Sequence, residues 1–156
     1  MKSRWVFLTA FALVFYSTGA AFVESFVNYP SWRLIGASEF VAYHRFITPR
    51  VVTFLVAPAM LGTVFTVLLL WFRPRAIPRA AVWLAILCNI VVWTATFLIH
   101  IPIQMRLSAS GLSLPLIDQL MLTNFWLRRV PYLVCAALFL WMAARVLRAC
   151  DDGRSA

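Results

Sequence analysis

Apolar residues run along the chain in four long blocks, at about 5–27, 51–72, 80–101 and 125–147. Prolines, arginines and hydroxyl residues gather between them. A helix of about 20 residues spans a hydrocarbon core of about 30 Å, and each block is that long. The pattern predicts an all-α fold: one integral-membrane, four-helix antiparallel bundle over 1–148, followed by a polar tail at 149–156.

The connections refine this picture. A short interfacial helix is expected at 37–47, between spans one and two. Phe40 and His44 would share one of its faces, and Glu39 and Tyr43 a neighbouring one. Pro49 would end it. Pro58, inside the second block, predicts a kink. The stretch 73–79 holds Arg73, Pro74, Arg75, Pro78 and Arg79, a loop short enough to make helices two and three antiparallel neighbours. Pro102 is expected to stop the third block. Ser108, Ser110, Gly111 and Pro115 mark a loop, with a helix restarting near Leu116.

Composition strengthens the membrane reading. The 156 residues are 63% hydrophobic and 12% charged, against about 25% charged in soluble domains. Fourteen Lys and Arg against five acids give a net charge of +9. The basic residues flank apolar blocks instead of forming a stripe on a polar face, so no nucleic-acid partner is expected and the lipid bilayer is. Lys2, Arg4, Arg73, Arg75, Arg79, Arg145, Arg148 and Arg154 would share one side of the membrane. The other side would hold six arginines. This excess predicts a multi-pass cell-membrane protein with both termini cytoplasmic. Thr18-Gly19-Ala20 offers a signal-peptidase-like site, but the first block runs past it and is read as a retained span. Cys88, Cys135 and Cys150 form no CxxC pair, which counts against disulfide-shuttling quinone reductases and suits small buried hydrophobes.

Candidate chemistry concentrates at one end. With this topology Glu24, His44, His100, Gln104, Asn124 and Arg128 all fall at the outward end. A carboxylate at the end of an apolar helix must face protein or water, so Glu24 is either a functional acid–base group or a headgroup-level partner for Arg33 or Arg45. His44 suits proton transfer, or sits in the interface. His100 either joins the site or caps carbonyls freed by Pro102. Asn124 and Arg128 stand four apart on one helix face, and with Gln104 they supply donors for developing negative charge. Arg128 has Asp118 as an alternative partner. Tyr29, Trp32, Trp126 and Tyr132 fit an interfacial aromatic belt, or line a flat ligand pocket. Glu24, Glu39, His44 and His100 include zinc and iron ligand types, but the paired ExxH signature of carboxylate bundles is missing. No metal or other cofactor is expected.

The acid at the end of the first span, NYPSW at 28–32, EFVAYH at 39–44, the proline in the second span, IPIQMRL at 101–107 and LTNFWLRR at 122–129 together form a pattern. It resembles small four-span bacterial membrane proteins related to the anthrone oxygenase-like family. Members with known activity oxidise an activated aromatic methylene with dioxygen, without metal or flavin. The resemblance implies a base, His44 or Glu24, and donors for the resulting enolate, Gln104, Asn124 and Arg128. Tyr29, Trp32 and His100 complete the expected binding set.

Three readings stand. The first is an oxidoreductase acting on a lipophilic, aromatic or quinone-like small molecule at the outward end. The second is a non-enzymatic subunit in a homo-oligomer or with another partner, which expects Ala59 and Gly62 on an exposed contact face. The third is a small transporter.

Overall fold

The structure, a computed structural model, describes residues 2–152. It is all-helical in those residues. Four rods carry it: α1 Lys2–Leu34, α2 Ala37–Phe72, α3 Arg79–Ser110 and α4 Leu114–Cys150. All four are long and apolar enough to cross a membrane. The expected polar tail begins inside α4 at Ala149 and Cys150, and 153–156 lie outside the described residues.

The rods are longer than the apolar blocks, because three prolines do not act as expected. Pro49 does not end a separate interfacial helix: Ala37–Val51 continues through it into the rest of α2. Pro102 does not stop α3, which runs on to Ser110. The helix expected to restart near Leu116 does so within two residues, but it takes in Pro115, which was expected in the loop. It starts at Leu114, with Pro115 in the first turn, where a missing N–H costs nothing.

One inner proline in each rod is absorbed in the same way, Pro49 of α2 being a further one that lies in α-helix. A five-residue π-turn precedes Pro30, Pro58, Pro102 and Pro131, at Glu24–Asn28, Val52–Val56, Thr96–His100 and Phe125–Arg129. The residue before each proline donates its N–H five residues back, from Tyr29 to Glu24, Ala57 to Val52, Ile101 to Thr96 and Val130 to Phe125. The proline ring crowds the carbonyl four residues back, and a wider turn relieves that crowding. Hydroxyls near each π-turn cover carbonyls on the same stretch. Ser25 donates to Ala21 O at 2.6 Å, Thr53 to Pro49 O at 2.9 Å, Thr96 to Val92 O at 2.7 Å and Thr123 to Gln119 O at 2.7 Å.

Around the bundle α1 packs on α2 and α4, and α3 packs on the same two. One end gathers both described chain ends and the 73–78 turn. There Arg4 reaches Cys150 Sγ at 3.7 Å and Arg145 Nε donates to Ala76 O at 3.0 Å. A core of Phe7, Ala10, Leu69, Val82, Phe139 and Met142 fills this end. A second core, built on Tyr29, Trp32, Phe40, Leu107, Ile117 and Leu120, fills the other. The π-turns lie between the two.

The α1–α2 contact depends on small residues. Ala59, Gly62 and Thr66 of α2 are buried, and a Cβ built on Gly62 would stand 3.3 Å from Leu13 Cβ. These residues are consumed inside the bundle and do not form an exposed face. Replacing Gly62 by Leu would overpack this seam, with an expected loss of about 1–3 kcal/mol. Gly19 has nothing within 4 Å of the corresponding position, so Gly19→Leu is expected to leave stability nearly unchanged. Thermal unfolding of the detergent-solubilised variants checks the contrast.

Candidate functional site

A cavity of about 320 Å³ opens at the level of the π-turns. That is within the range of small-molecule sites, about 300–1,000 Å³. Every rod contributes to its wall. Glu24, Tyr29 and Trp32 come from α1, His44 and Val52 from α2, His100 and Gln104 from α3, and Arg128 from α4. Of these, Glu24, Val52, His100 and Arg128 sit on the π-turns themselves.

Glu24 is buried and one of its oxygens is held. Asn28 Nδ2 donates to Glu24 Oε2 at 2.7 Å, one helical turn away. Asn28 in turn is oriented by two donors on its Oδ1, Trp32 Nε1 at 3.1 Å and Tyr43 OH at 3.2 Å. Those donors fix the amide so that its NH₂ group faces the carboxylate. Oε2 is thereby committed as an acceptor, and Oε1 is the oxygen left to exchange a proton.

His44 is buried and fully engaged. Its Nε2 lies 2.6 Å from Gln104 Oε1 and its Nδ1 lies 2.9 Å from Ser108 Oγ. The carbonyl oxygen of Gln104 only accepts, so Nε2 carries the hydrogen and Nδ1 accepts from the serine: a neutral imidazole with no free lone pair. Trp32 meets the ring edge-on at 5.2 Å between centroids and Phe40 stacks on it at 5.6 Å. His44 is a rigid piece of wall.

His100 points across to α4. Thr123 Oγ1, whose own hydrogen goes to the Gln119 carbonyl at 2.7 Å, lies 3.3 Å from His100 Nε2 and accepts from it. His100 Nδ1 then has a lone pair and no protein partner. The histidine does not cap carbonyls freed by Pro102. Arg128, also buried, donates from Nη1 to Tyr29 OH at 3.4 Å, while its Nε has no protein partner. Asp118 does not pair with it, because Asp118 pairs with Arg33 on the exposed side.

Several expected placements differ. Tyr29 and Trp32 are only 2% and 1% exposed and belong to the second core and the cavity wall, the other of their two expected placements, not to a surface belt. Tyr132 is buried as well, and Trp126 alone of the four is on the outside. Asn124 is buried but does not line the cavity. Its Nδ2 donates to Ser25 Oγ at 2.7 Å, tying α4 to α1 beside the π-turn. Glu39 is exposed and stands apart from Glu24, His44 and His100. No cluster of three His, Cys, Asp or Glu side chains occurs among the described residues.

Asn28 and Ser108 were missed in the sequence. Asn28 had a signal: Glu24, Asn28 and Trp32 are spaced at i, i+4 and i+8 on one helical stripe. Ser108 had none, because its partner is 64 positions away.

The mouth of the cavity is lateral. α2 and α3 pack along 57–72 against 79–95, and again along 37–51 against 101–110. At the edge of the second zone and across the π-turns the wall is Val51, Val52, Val56, Ile101 and Met105, and Met105 is 66% exposed. The wall at this side is apolar, and the same cavity carries the polar groups of Glu24, Gln104 and Arg128.

Asn28→Leu removes the hub of this arrangement and strands Trp32 Nε1, Tyr43 OH and Glu24 Oε2. A stability loss of about 1–3 kcal/mol for each stranded buried group sets the scale. Chemical unfolding should show a larger loss than for Ser31→Ala, which removes only a hydrogen bond to the Asn28 carbonyl. Compared with known protein families, curated proteins and solved structures, the chain gives no match.

Proposed function

We propose that the chain is a multi-pass cell-membrane protein, an antiparallel four-span bundle with both termini cytoplasmic, whose cavity takes a small lipophilic molecule from the bilayer and oxidises it. The observation that carries this reading is one cavity combining an apolar lateral mouth with a buried carboxylate and a buried guanidinium. Ionisable residues at such depth are costly unless function retains them.

The reaction follows the resemblance to the anthrone oxygenase-like family. The substrate is an aromatic or quinone-like molecule bearing an activated methylene. Glu24 Oε1 is the better base of the two candidates, since both nitrogens of His44 are occupied. Arg128 and the amide of Gln104 receive the enolate oxygen. The carbanion passes its electrons to dioxygen. One oxygen atom remains as the ketone, and the other leaves as water with the two methylene hydrogens. Asn124 drops out of the donor set, because its amide is spent on Ser25.

The rival reading, a non-enzymatic subunit, counted on Ala59 and Gly62 at an exposed face. Both are used against α1. The transporter reading has no comparable support.

Protein purified in lipid nanodiscs is expected to consume dioxygen in the presence of an anthrone-type substrate, one equivalent per ketone formed. Glu24→Gln should lower turnover by about 10²-fold or more while substrate still binds. No uptake with any such substrate, and no small molecule co-purifying by mass spectrometry, would remove the enzyme reading. Full turnover by Glu24→Gln would remove Glu24 as the base. For topology, a C-terminal reporter active only in the cytoplasm is expected to be active, and one inserted at Gly111 silent.

A further inference from the structure

The opposite end of the bundle holds a second built feature, a groove between α1 and α4. Its inner part, about 250 Å³, is apolar and walled by Phe7, Leu8, Phe11, Ala143 and Leu147. Its outer part, about 240 Å³, is walled by Ser3, Arg4, Arg75 and Ala149. The two parts share Arg4, Pro74, Val146 and Cys150 and so form one continuous depression. Arg4, Leu8 and Phe11 lie on one stripe of α1, and Cys150, Leu147 and Ala143 on the facing stripe of α4. Polarity therefore changes along the helix axis: cationic at the end of the bundle, apolar toward its middle.

We propose that this groove is a binding site for an anionic phospholipid, with its phosphate between Arg4 and Arg75 and an acyl chain laid along Leu8, Phe11 and Ala143. The proposal rests on the membrane placement given above, but not on any enzymatic activity. The axial gradient is what selects a lipid. A soluble anion would use the arginines and leave the apolar half uncovered, and a zwitterionic lipid would bring a second cation to a cationic mouth. The mouth is cationic by sequence as well. Lys2, Arg4, Arg73, Arg75, Arg79, Arg145 and Arg148 collect at this end of the chain's topology. Arg73 and Arg145 are committed to the Ile77 and Ala76 carbonyls, both at 3.0 Å. Arg4 reaches only the weak acceptor Cys150 Sγ, at 3.7 Å, and neither Arg4 nor Arg75 forms an ion pair among the described residues. Basic pockets between helices at the cytoplasmic face are where anionic headgroups are held.

Native mass spectrometry of the full chain, ejected from nanodiscs containing equal phosphatidylglycerol and phosphatidylcholine, tests this. Adducts of phosphatidylglycerol are expected to exceed those of phosphatidylcholine by about thirtyfold, the scale of two arginines at an anionic headgroup. Arg4→Gln with Arg75→Gln should bring the ratio close to one. Either single variant, which changes one exposed side chain, makes the same comparison if the double variant does not fold. Ala143→Trp, which fills the apolar half, should reduce retention of both lipids. Equal retention by the unmodified chain would overturn the proposal, as would a ratio unmoved by the arginine variants. Displacement of the lipid by inorganic phosphate alone would also overturn it, because the site would then be one for free phosphate.

Discussion

A proline inside a helix donates no backbone hydrogen bond, and its ring crowds the carbonyl four residues back. In this protein the constraint occurs in every rod. Pro49 of α2 sits in α-helix without a π-turn before it, but Pro30, Pro58, Pro102 and Pro131 are each met by one. In a soluble loop the chain would simply break there. In a bundle of apolar helices a break would leave several polar backbone groups without water, so widening by one residue is the cheaper response. The hydroxyls of Ser25, Thr53, Thr96 and Thr123 then cover carbonyls along the same stretches. Wide turns pack less closely than regular ones. Four of them converging leave a cavity where a bundle would otherwise have a closed seam.

The two cores make that opening affordable. Phe7, Leu69, Val82 and Phe139 close one end, and Trp32, Phe40, Leu107 and Ile117 close the other. Each is built of buried apolar and aromatic side chains, so the polar layer between them is closed off at both ends and open at the side. The lateral mouth follows from the same geometry. Where α2 and α3 pass through their π-turns their packing lapses, and it resumes on either side.

How much of this was legible depended on the range of each signal. The four apolar blocks were visible because hydropathy is summed over many residues, and the rods lie where the blocks do. Their true lengths were not visible. Pro49 and Pro102 each read locally as a helix end, whereas the neighbours that keep the helix going act through tertiary packing. Most of the site was legible from one idea, that titratable residues in an apolar chain must cluster. Glu24, His44, His100, Gln104 and Arg128 do line one cavity. What sequence could not supply was direction. Asn124 carries the same donors as Gln104 and stands four residues from Arg128, yet its side chain goes to Ser25. Tyr29 and Trp32 have belt chemistry, but the turn at Glu24–Asn28 places them in the core.

One feature of the cavity goes against ordinary folding economy. Buried opposite charges normally pair, since each is expensive alone. Glu24 and Arg128 line the same cavity and form no ion pair among the described residues. Each is held by a neutral neighbour instead, Asn28 for the carboxylate and Tyr29 for the guanidinium. Those neighbours are themselves fixed, Asn28 by Trp32 and Tyr43, and Tyr29 by its place in the second core. The packing that stabilises one end of the bundle thus also keeps two charges apart. A bundle selected for stability alone would let them collapse onto each other. Keeping them separate leaves a carboxyl group and a guanidinium facing one space, each with hydrogen-bonding capacity that its neutral neighbour does not use up.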